Sequence, residues 1–585
     1  MFPSTEWALS HRRAVAVAAA ATGALAVVLL VRRARRRAAQ PRRKLDEEEE
    51  SDYEEEEAAI TTLAQLRALR APLLPLAAPA VASVCVTGHS LHLAAFPPAL
   101  CALRGLRELD LRGNAIPALP AGVGRLVQLT RLCLSGNLLT ELPPQIGKLQ
   151  MLVDLDVGSN RLAALPAELG QVTTLRFLNA MNNRLEALPD TIGDCTALVR
   201  LGLKSNRLAA LPASIGRLHG LVELYLTDNL LEELPAEMGQ LRSLVKLQAS
   251  FNPLRALPAE LGRLPNLEMI RVASCNIAEV PAALRDAPKL AWMSLASNPA
   301  CRTLSPRKLP TVEVKDLNMG RKLGDGASGE VFEGCWQGRR VAVKVFVAER
   351  SPDGHSRDEM AIAFCVNETH LVKVVAQLKQ PLGLVMEFAQ GSPFAEKPNL
   401  QSLLRCRWGT GQTFELAFIL RVAIGVASAL EHMHYRGIAH GDVYAHNVMV
   451  SEEGHATLCD YGASFPYHKG GPVSYEAHEV RAFGLMLADM VRRMDIGFQG
   501  MEQLLNAQKE LLAVVQQCCS GPPALRPTFG AVGRRLKTIQ KAAALAGLAN
   551  VTPRSGAASL ASLTPRTCVT EFFSPRSDVT QTLHD

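Results

Sequence analysis

From residue 106 to residue 298 the apolar positions recur with a step of 23. The first full unit reads Leu106, Leu109, Leu111, Asn114, Ile116, Leu119, Pro120. Leu109 and Leu111 are flanked by polar residues, so x-L-x-L-x predicts a short strand with its leucines on one face. A polar slot recurs at Asn114, Asn137, Asn160, Asn183, Asn206, Asn229, Asn252 and Asn298, with Cys275 taking its place once. An amide buried among leucines is expected to bond to the backbone where the chain turns, since no ladder satisfies those groups there. Leu-Pro pairs from Leu119–Pro120 to Leu257–Pro258, and then Val280–Pro281, restrict the opposite side to extended or 3₁₀-like backbone. Residues 59–99 lack the full pattern; Val84, Val86, Leu91 and Leu93 are expected to form a degenerate N-terminal cap.

The unit L-x-x-L-x-L-x-x-N-x-L-x-x-L-P predicts a leucine-rich-repeat solenoid and resembles the Ras-group class of intracellular repeats. Binding is expected on the concave strand face, which carries Asp154, Asp156, Phe177, Asn179, Met181, Arg200, Lys204, Tyr225, Lys246, Arg271 and Trp292. Phe177, Tyr225 and Trp292 are the candidate anchors for protein partners or substrates.

After residue 316 the 23-residue period stops and shorter strand and helix patterns follow. Gly324, Gly326, Gly329 and Val331 form G-x-G-x-x-G-x-V, a hairpin that can close over phosphates with backbone N–H groups. Thirteen residues after Val331, Val341-Ala342-Val343-Lys344 places a lysine on a strand, where it can pair with phosphates and with a helix glutamate. Glu359 is the expected glutamate, with Glu349 and Glu368 as rivals. Leu384 to Ala389 reads as a strand entering an adenine-contacting hinge, so Ala342, Met386, Glu387 and Ala389 are nucleotide-site candidates. A helix over Phe414–His434 precedes His440-Gly441-Asp442-Val443-Tyr444-Ala445-His446-Asn447, and Asp460-Tyr461-Gly462 begins thirteen residues after Asn447. Asp442 would accept a substrate hydroxyl proton, while Asn447 and Asp460 would hold Mg²⁺.

In this order the motifs resemble a protein kinase close to the tyrosine-kinase-like group. Together with the repeats they resemble the leucine-rich-repeat protein kinases of plants and bacteria. The resemblance implies ATP and Mg²⁺ as cofactors, phosphoryl transfer to Ser or Thr, and protein partners in intracellular signalling. Three departures stand out. Gly441 replaces the usual Arg. His446, a catalytic candidate beside Asp442 and Lys344, falls near a position where kinases carry a cation that neutralises the transferring phosphate. The stretch from Asp460 to Glu479 is very short and shows no clear A-P-E. A weakly active or pseudokinase scaffold that binds ATP and proteins is therefore the alternative, and a small-molecule acceptor is a third reading.

Ala14 to Val31 is an uncharged run of eighteen residues, long enough as a helix to cross a hydrocarbon core. Eight basic residues follow it between 32 and 44, and only Arg12 and Arg13 precede it, which places the C-terminal side in the cytosol. The run could instead be a targeting peptide, and nothing in it distinguishes one membrane from another. The segment joining solenoid and kinase is polar and too short to span, so both domains lie on the same side.

The chain of 585 residues carries a net charge of +7, which by itself would suggest a polyanion partner. Positions 32–44 contribute +8 and positions 46–57 contribute −10, leaving +9 spread over the remainder without a basic stripe, so no nucleic-acid partner is expected. Thirteen scattered cysteines exclude a disulfide scaffold. The expected fold is an α/β leucine-rich-repeat solenoid followed by a two-lobed α+β protein-kinase-like domain, with one N-terminal transmembrane helix. The expected order is tail 1–13, anchor 14–31, basic then acidic linker 32–58, solenoid 59–305, linker 306–316, kinase domain 317–543 and disordered tail 544–585.

Overall fold

The computed structural model describes residues 84–87, 90–326, 328–351, 353–470, 475–496 and 501–548. The expected anchor at 14–31, the charged linker, the first part of the solenoid region and most of the C-terminal tail lie outside the described residues.

Ten parallel strands form one sheet in chain order: β1 (Val84–Thr87), β2 (Leu106–Asp110), β3 (Arg131–Cys133), β4 (Asp154–Asp156), β5 (Phe177–Asn179), β6 (Arg200–Gly202), β7 (Glu223–Tyr225), β8 (Lys246–Gln248), β9 (Met269–Arg271) and β10 (Trp292–Ser294). The register advances by one repeat per strand, so Leu132, Leu155, Leu178, Leu201, Leu224, Leu247, Ile270 and Met293 stack in one buried row. Short 3₁₀ helices line the convex side, with the prolines of Leu-Pro at their N-caps. Proline has no N–H to leave unsatisfied there.

The asparagines form the expected ladder. Asn160 accepts from Leu139 N at 3.0 Å and donates to the carbonyls of Leu134 and Val157, both at 3.0 Å. Asn137, Asn183, Asn206, Asn229 and Asn252 repeat this arrangement. Cys275 keeps only long donor contacts, from its Sγ to Ala249 O at 3.5 Å and to Ala273 O at 3.7 Å, and brings no oxygen acceptor.

The second domain begins with β11 (Thr311–Val312), β12 (Asn318–Asp325), β13 (Gly329–Trp336) and β14 (Arg339–Phe346). A small hairpin, β15 (Arg350–Ser351) and β16 (Gly354–His355), leads into α1 (Ser356–Ala363), and β17 (Val374–Leu378) and β18 (Gly383–Glu387) complete a six-stranded sheet. Its order is β11-β17-β18-β14-β13-β12. The segment 306–316, expected to be a linker, is thus built into the fold: Thr311 and Val312 pair in parallel with β17, and Arg307 donates to Val374 O at 3.0 Å.

The C-lobe follows with β19 (Ser392–Pro393), α2 (Leu416–Tyr435), β20 (Ile438–Ala439), β21 (Val448–Val450), β22 (Ala456–Leu458), β23 (Phe465–Pro466), α3 (Tyr475–Val491), α4 (Met501–Cys518) and α5 (Phe529–Leu545). Among the described residues, α2 is long and apolar enough to cross a membrane, but most of it is buried as the central helix of this lobe.

Solenoid and C-lobe share their cores. Ala439, Phe465 and Tyr467 lie in the same apolar cluster as the repeat leucines, while Met269, Ala291 and Trp292 belong to the cluster of the C-lobe. The concave face is therefore not free at its C-terminal end. Trp292, expected to be an exposed anchor, is 2% exposed. Its ring stacks on Tyr444 at 4.5 Å and its Nε1 donates to Val443 O at 3.1 Å. Phe177 and Tyr225 remain half-buried: Arg200 lies over the Phe177 ring, and the Tyr225 hydroxyl donates to Glu223 at 2.6 Å.

Asn160→Ala is expected to cost about 2–4 kcal/mol, because it strands Leu139 N and two buried carbonyls. Chemical denaturation of the full chain measures this; an unchanged midpoint would remove the asparagine ladder from the account of stability.

Candidate active site

The registers of β13, β14 and β18 bring one set of side chains together. Lys344 lies opposite Val331 and Leu384, and Ala342 opposite Met386. Val331, Ala342, Lys344 and Met386 thus share one face of the sheet. Glu387 lies opposite Val341, on the other face, where it is exposed and pairs with Lys373 at 2.6 Å. As a nucleotide contact, Glu387 is left with its backbone alone. Ala389 follows the strand and is half-buried. The β12–β13 hairpin carries Gly324, Gly326 and Gly329. A Cβ on Gly329 would lie 2.2 Å from Val345 O, whereas Gly324 faces open space.

Lys344 Nζ lies 2.5 Å from Glu359 Oε1 on α1 and 3.6 Å from Asp460 Oδ1. This decides between the glutamates: Glu368 instead accepts from Ser428 Oγ and His370 N. One lysine is shared by two carboxylates. Desolvation works to lower the Lys344 pKa, but Asp460 and Glu359 outweigh it and keep the ammonium protonated. Burial pushes Glu359 up to about 7; Lys344 opposes this, and the nearby Asp460 carboxylate adds to it. Asp460 has the left-handed φ of +65°. Its place in the cleft acts to raise its pKa, but Lys344 and the Gly462 N–H bring it down to about 2.

Asp442 sits on the loop between β20 and β21. Asn447 Nδ2 donates to Asp442 Oδ2 at 2.8 Å and to Asp442 O at 2.9 Å. Gly441 N donates to Glu479 Oε1 at 2.5 Å, and the other oxygen of Glu479 pairs with His434 at 2.6 Å. Glu479, at the start of α3, therefore holds the loop from below.

His446 does not fill the role expected of it. Burial lowers its pKa, and its Nδ1 faces Cys406 Sγ at 3.4 Å, so near neutral pH it carries no charge to offer a phosphate.

The cation beside Asp442 comes from the solenoid. Arg271, on β9, donates Nη2 to Asp442 Oδ1 and Nη1 to Gly441 O at 3.1 Å, and its Nε lies 3.2 Å from Asp353 Oδ1. Gly441 is required by its backbone angle and by two close carbonyls. Its φ is +77°, and a Cβ there would lie 2.4 Å from Ala463 O and 2.7 Å from Met293 O of β10. The side chain missing from this position is space shared by Ala463 O of the kinase domain and Met293 O of the solenoid. Neither Arg271 nor Asp353 carries a local motif; the one trace in the sequence is the glycine that departs from the family pattern.

Further contacts join the domains. Arg405 pairs with Glu268 at 2.8 Å, Arg200 donates to Leu400 O at 3.2 Å, and Arg526 donates to Pro288 O at 2.7 Å.

Comparison with known proteins places a protein kinase domain at residues 317–483 and a leucine rich repeat at residues 196–254. Human tyrosine-protein kinase Srms is 24% identical over 42% of this chain and 58% of its own length. The probable serine/threonine-protein kinase roco7 of Dictyostelium discoideum is 22% identical over 41% of this chain and 11% of its own. The chain therefore spans little more than half of the first relative and a small part of the second. A solved LRR protein of Leptospira interrogans overlaps 37% of this chain and 55% of its own at 32% identity, with a TM-score of 0.36. Leucine-rich repeats and a protein kinase domain occupy one chain.

The raised pKa of Glu359 has a measurable sign. The folded state binds its proton more tightly than the unfolded chain, so this contribution is present below about pH 4.5 and is lost as pH rises through about 7. The unfolding free energy of Glu359→Gln relative to wild type, from chemical denaturation, is expected to climb between pH 5 and pH 8, by up to about 3 kcal/mol. A difference that stays flat across that range would show that Glu359 titrates normally.

Proposed function

We propose that this leucine-rich-repeat protein kinase transfers the γ-phosphoryl group of ATP to serine or threonine hydroxyls of protein substrates. The observation that carries the reading is the joint placement of Lys344, Glu359, Asp442, Asn447 and Asp460. The Lys344–Glu359 pair is closed, Asp460 lies within reach of the same lysine, and Asn447 braces Asp442. Relatives of both tyrosine and serine/threonine type carry the domain, so the choice of acceptor rests on the sequence resemblance.

In this reading the glycine hairpin covers the phosphates, and Val331, Ala342 and Met386 face the adenine. Lys344 holds the α/β-phosphates, and Asp442 orients the incoming hydroxyl and takes its proton. Asp460 and Asn447 suit Mg²⁺: they are hard oxygen donors, and Asp460 stays ionised. The buried Glu359 Oε2 has no hydrogen-bond partner, a further sign of excess negative charge that a cation would relieve. Bound Mg²⁺ would neutralise charge on the transferring phosphate.

The second reading is an ATP-binding scaffold. Two observations favour it: only fourteen residues separate Asp460 from the first residue of α3, and Asp442 Oδ1 already accepts from Arg271. Anchoring through residues 14–31, with both domains in the cytosol, rests on the sequence alone. Loss of the full chain from the membrane fraction on deleting residues 1–44 would support the anchor; no change on deletion would argue against it.

Full-length wild type incubated with labelled ATP, Mg²⁺ and mixed protein substrates is expected to transfer label to Ser and Thr. Asp442→Asn should lower transfer by at least about a hundredfold while leaving nucleotide affinity near wild type. Equal labelling by the two proteins, with ATP bound by both, would favour the scaffold; label on tyrosine alone would overturn the acceptor assignment.

A further inference from the structure

The Lys344–Glu359 pair is closed and Asp442 is braced by Asn447 while the solenoid is docked. A docked solenoid is therefore compatible with an assembled site. The docking surface is also not that of a detachable lid. Undocking would expose Trp292, Tyr444, Phe465 and Tyr467, all at most 5% exposed, and would strip Arg271 of both its carboxylates.

Arg271 touches both halves of the site. Through Asp442 and Gly441 O it reaches the catalytic loop, and through Asp353 it reaches the β15–β16 hairpin that leads directly into α1. Two serines from the next repeat reinforce the second arm. Ser294 Oγ donates to Asp353 O at 2.6 Å, and Ser297 Oγ donates to Asp358 on α1. Phe251 packs edge-on against His355 of the hairpin at 5.1 Å, with Arg350 over its ring. Helix α1 has only eight residues, too few to be stable alone, so its register depends on tertiary contacts: Met360, Ile362 and Ala363 in the core, and the solenoid arm at its N-terminal end.

We propose that Arg271 is a positioning residue of the phosphoryl-transfer site, and that the last two repeats are a built-in clamp holding α1 and the catalytic loop in register. Arg271 orients Asp442 directly. With Ser294 and Ser297 it orients Glu359, and Glu359 in turn orients Lys344. The clamp rests on the phosphoryl-transfer reading only for its effect on turnover; the tether itself can be read without turnover.

The test uses the full chain carrying Arg271→Met, with Arg271→Lys as the conservative variant. In Arg271→Met the expected result is a fall in kcat of about a hundredfold with KM for ATP near wild type, and partial recovery in Arg271→Lys. Hydrogen exchange of amides 354–363 should accelerate in Arg271→Met and far less in Arg271→Lys. Turnover equal to wild type overturns the proposal. So does turnover above wild type, which would make Arg271 an inhibitory plug, and so does unchanged exchange at 354–363. If wild type shows no turnover but exchange accelerates in Arg271→Met, the phosphoryl-transfer reading fails and the clamp stands. If Arg271→Met does not fold, the double variant Asp353→Asn with Ser297→Ala cuts only the α1 arm. It should accelerate exchange at 354–363 and leave 441–447 as in wild type; no acceleration overturns the clamp.

Discussion

Taking a guanidinium out of water is costly unless carboxylates and carbonyls meet it on every side, and removing one of those partners afterwards leaves a charge that is more costly still. Arg271 is close to that position, although its Nε, 3.2 Å from Asp353 Oδ1, is left without a hydrogen bond. Its side chain is 3% exposed and lies among Asp442, Asp353 and the Gly441 carbonyl. The arrangement of the active end follows from satisfying it. The catalytic loop must approach β9 closely, and the hairpin before α1 must fold down onto the same strand. An ion pair of this kind contributes little net stability by itself, but it is demanding about geometry. The surrounding apolar contacts supply the affinity, through Trp292 stacked on Tyr444 and through Phe465 and Tyr467 set among the repeat leucines.

This packing changes what the solenoid's concave face is for. Its C-terminal part binds the chain's own kinase domain. Phe177 and Tyr225, on earlier strands, stay half-buried and are already held by Arg200, Lys246 and Glu223. The short stretch between Asp460 and α3 fits the same picture, since β23 is pressed between the C-lobe and the end of the solenoid.

Much of this was legible in the chain. The 23-residue period placed every strand from β2 to β10, and two of the predicted meetings are present, Lys344 with Asp460 and Asn447 with Asp442. Glu359 could be named but not separated from Glu349 and Glu368, because a helix of eight residues leaves its register open. The contacts between the domains were not legible. Arg271 and Trp292 occupy positions that are solvent-facing in the repeat pattern, and periodicity reports which face a residue is on without reporting what covers that face. His446 was misread for a related reason: a motif position conveys nothing about the desolvation that keeps the imidazole neutral. The segment 306–316 looked like a linker because a two-residue edge strand is too short to leave a periodic trace.

Gly441 bears on how this molecule can change in length. A solenoid couples each repeat only to its neighbours, so units can be gained or lost with little cost to the rest of the array. Here the kinase domain touches the array from Arg200 on β6 to Trp292 on β10, and Met293 O fills the space beside Gly441. Losing or duplicating a unit within that span would bring a different strand to the glycine and remove the arginine from the aspartate. Units from β2 to β5 are under no such restriction. The kinase domain thus fixes the repeat number at the C-terminal end of the array and places no such demand on the units from β2 to β5, so one regular array carries two different structural constraints.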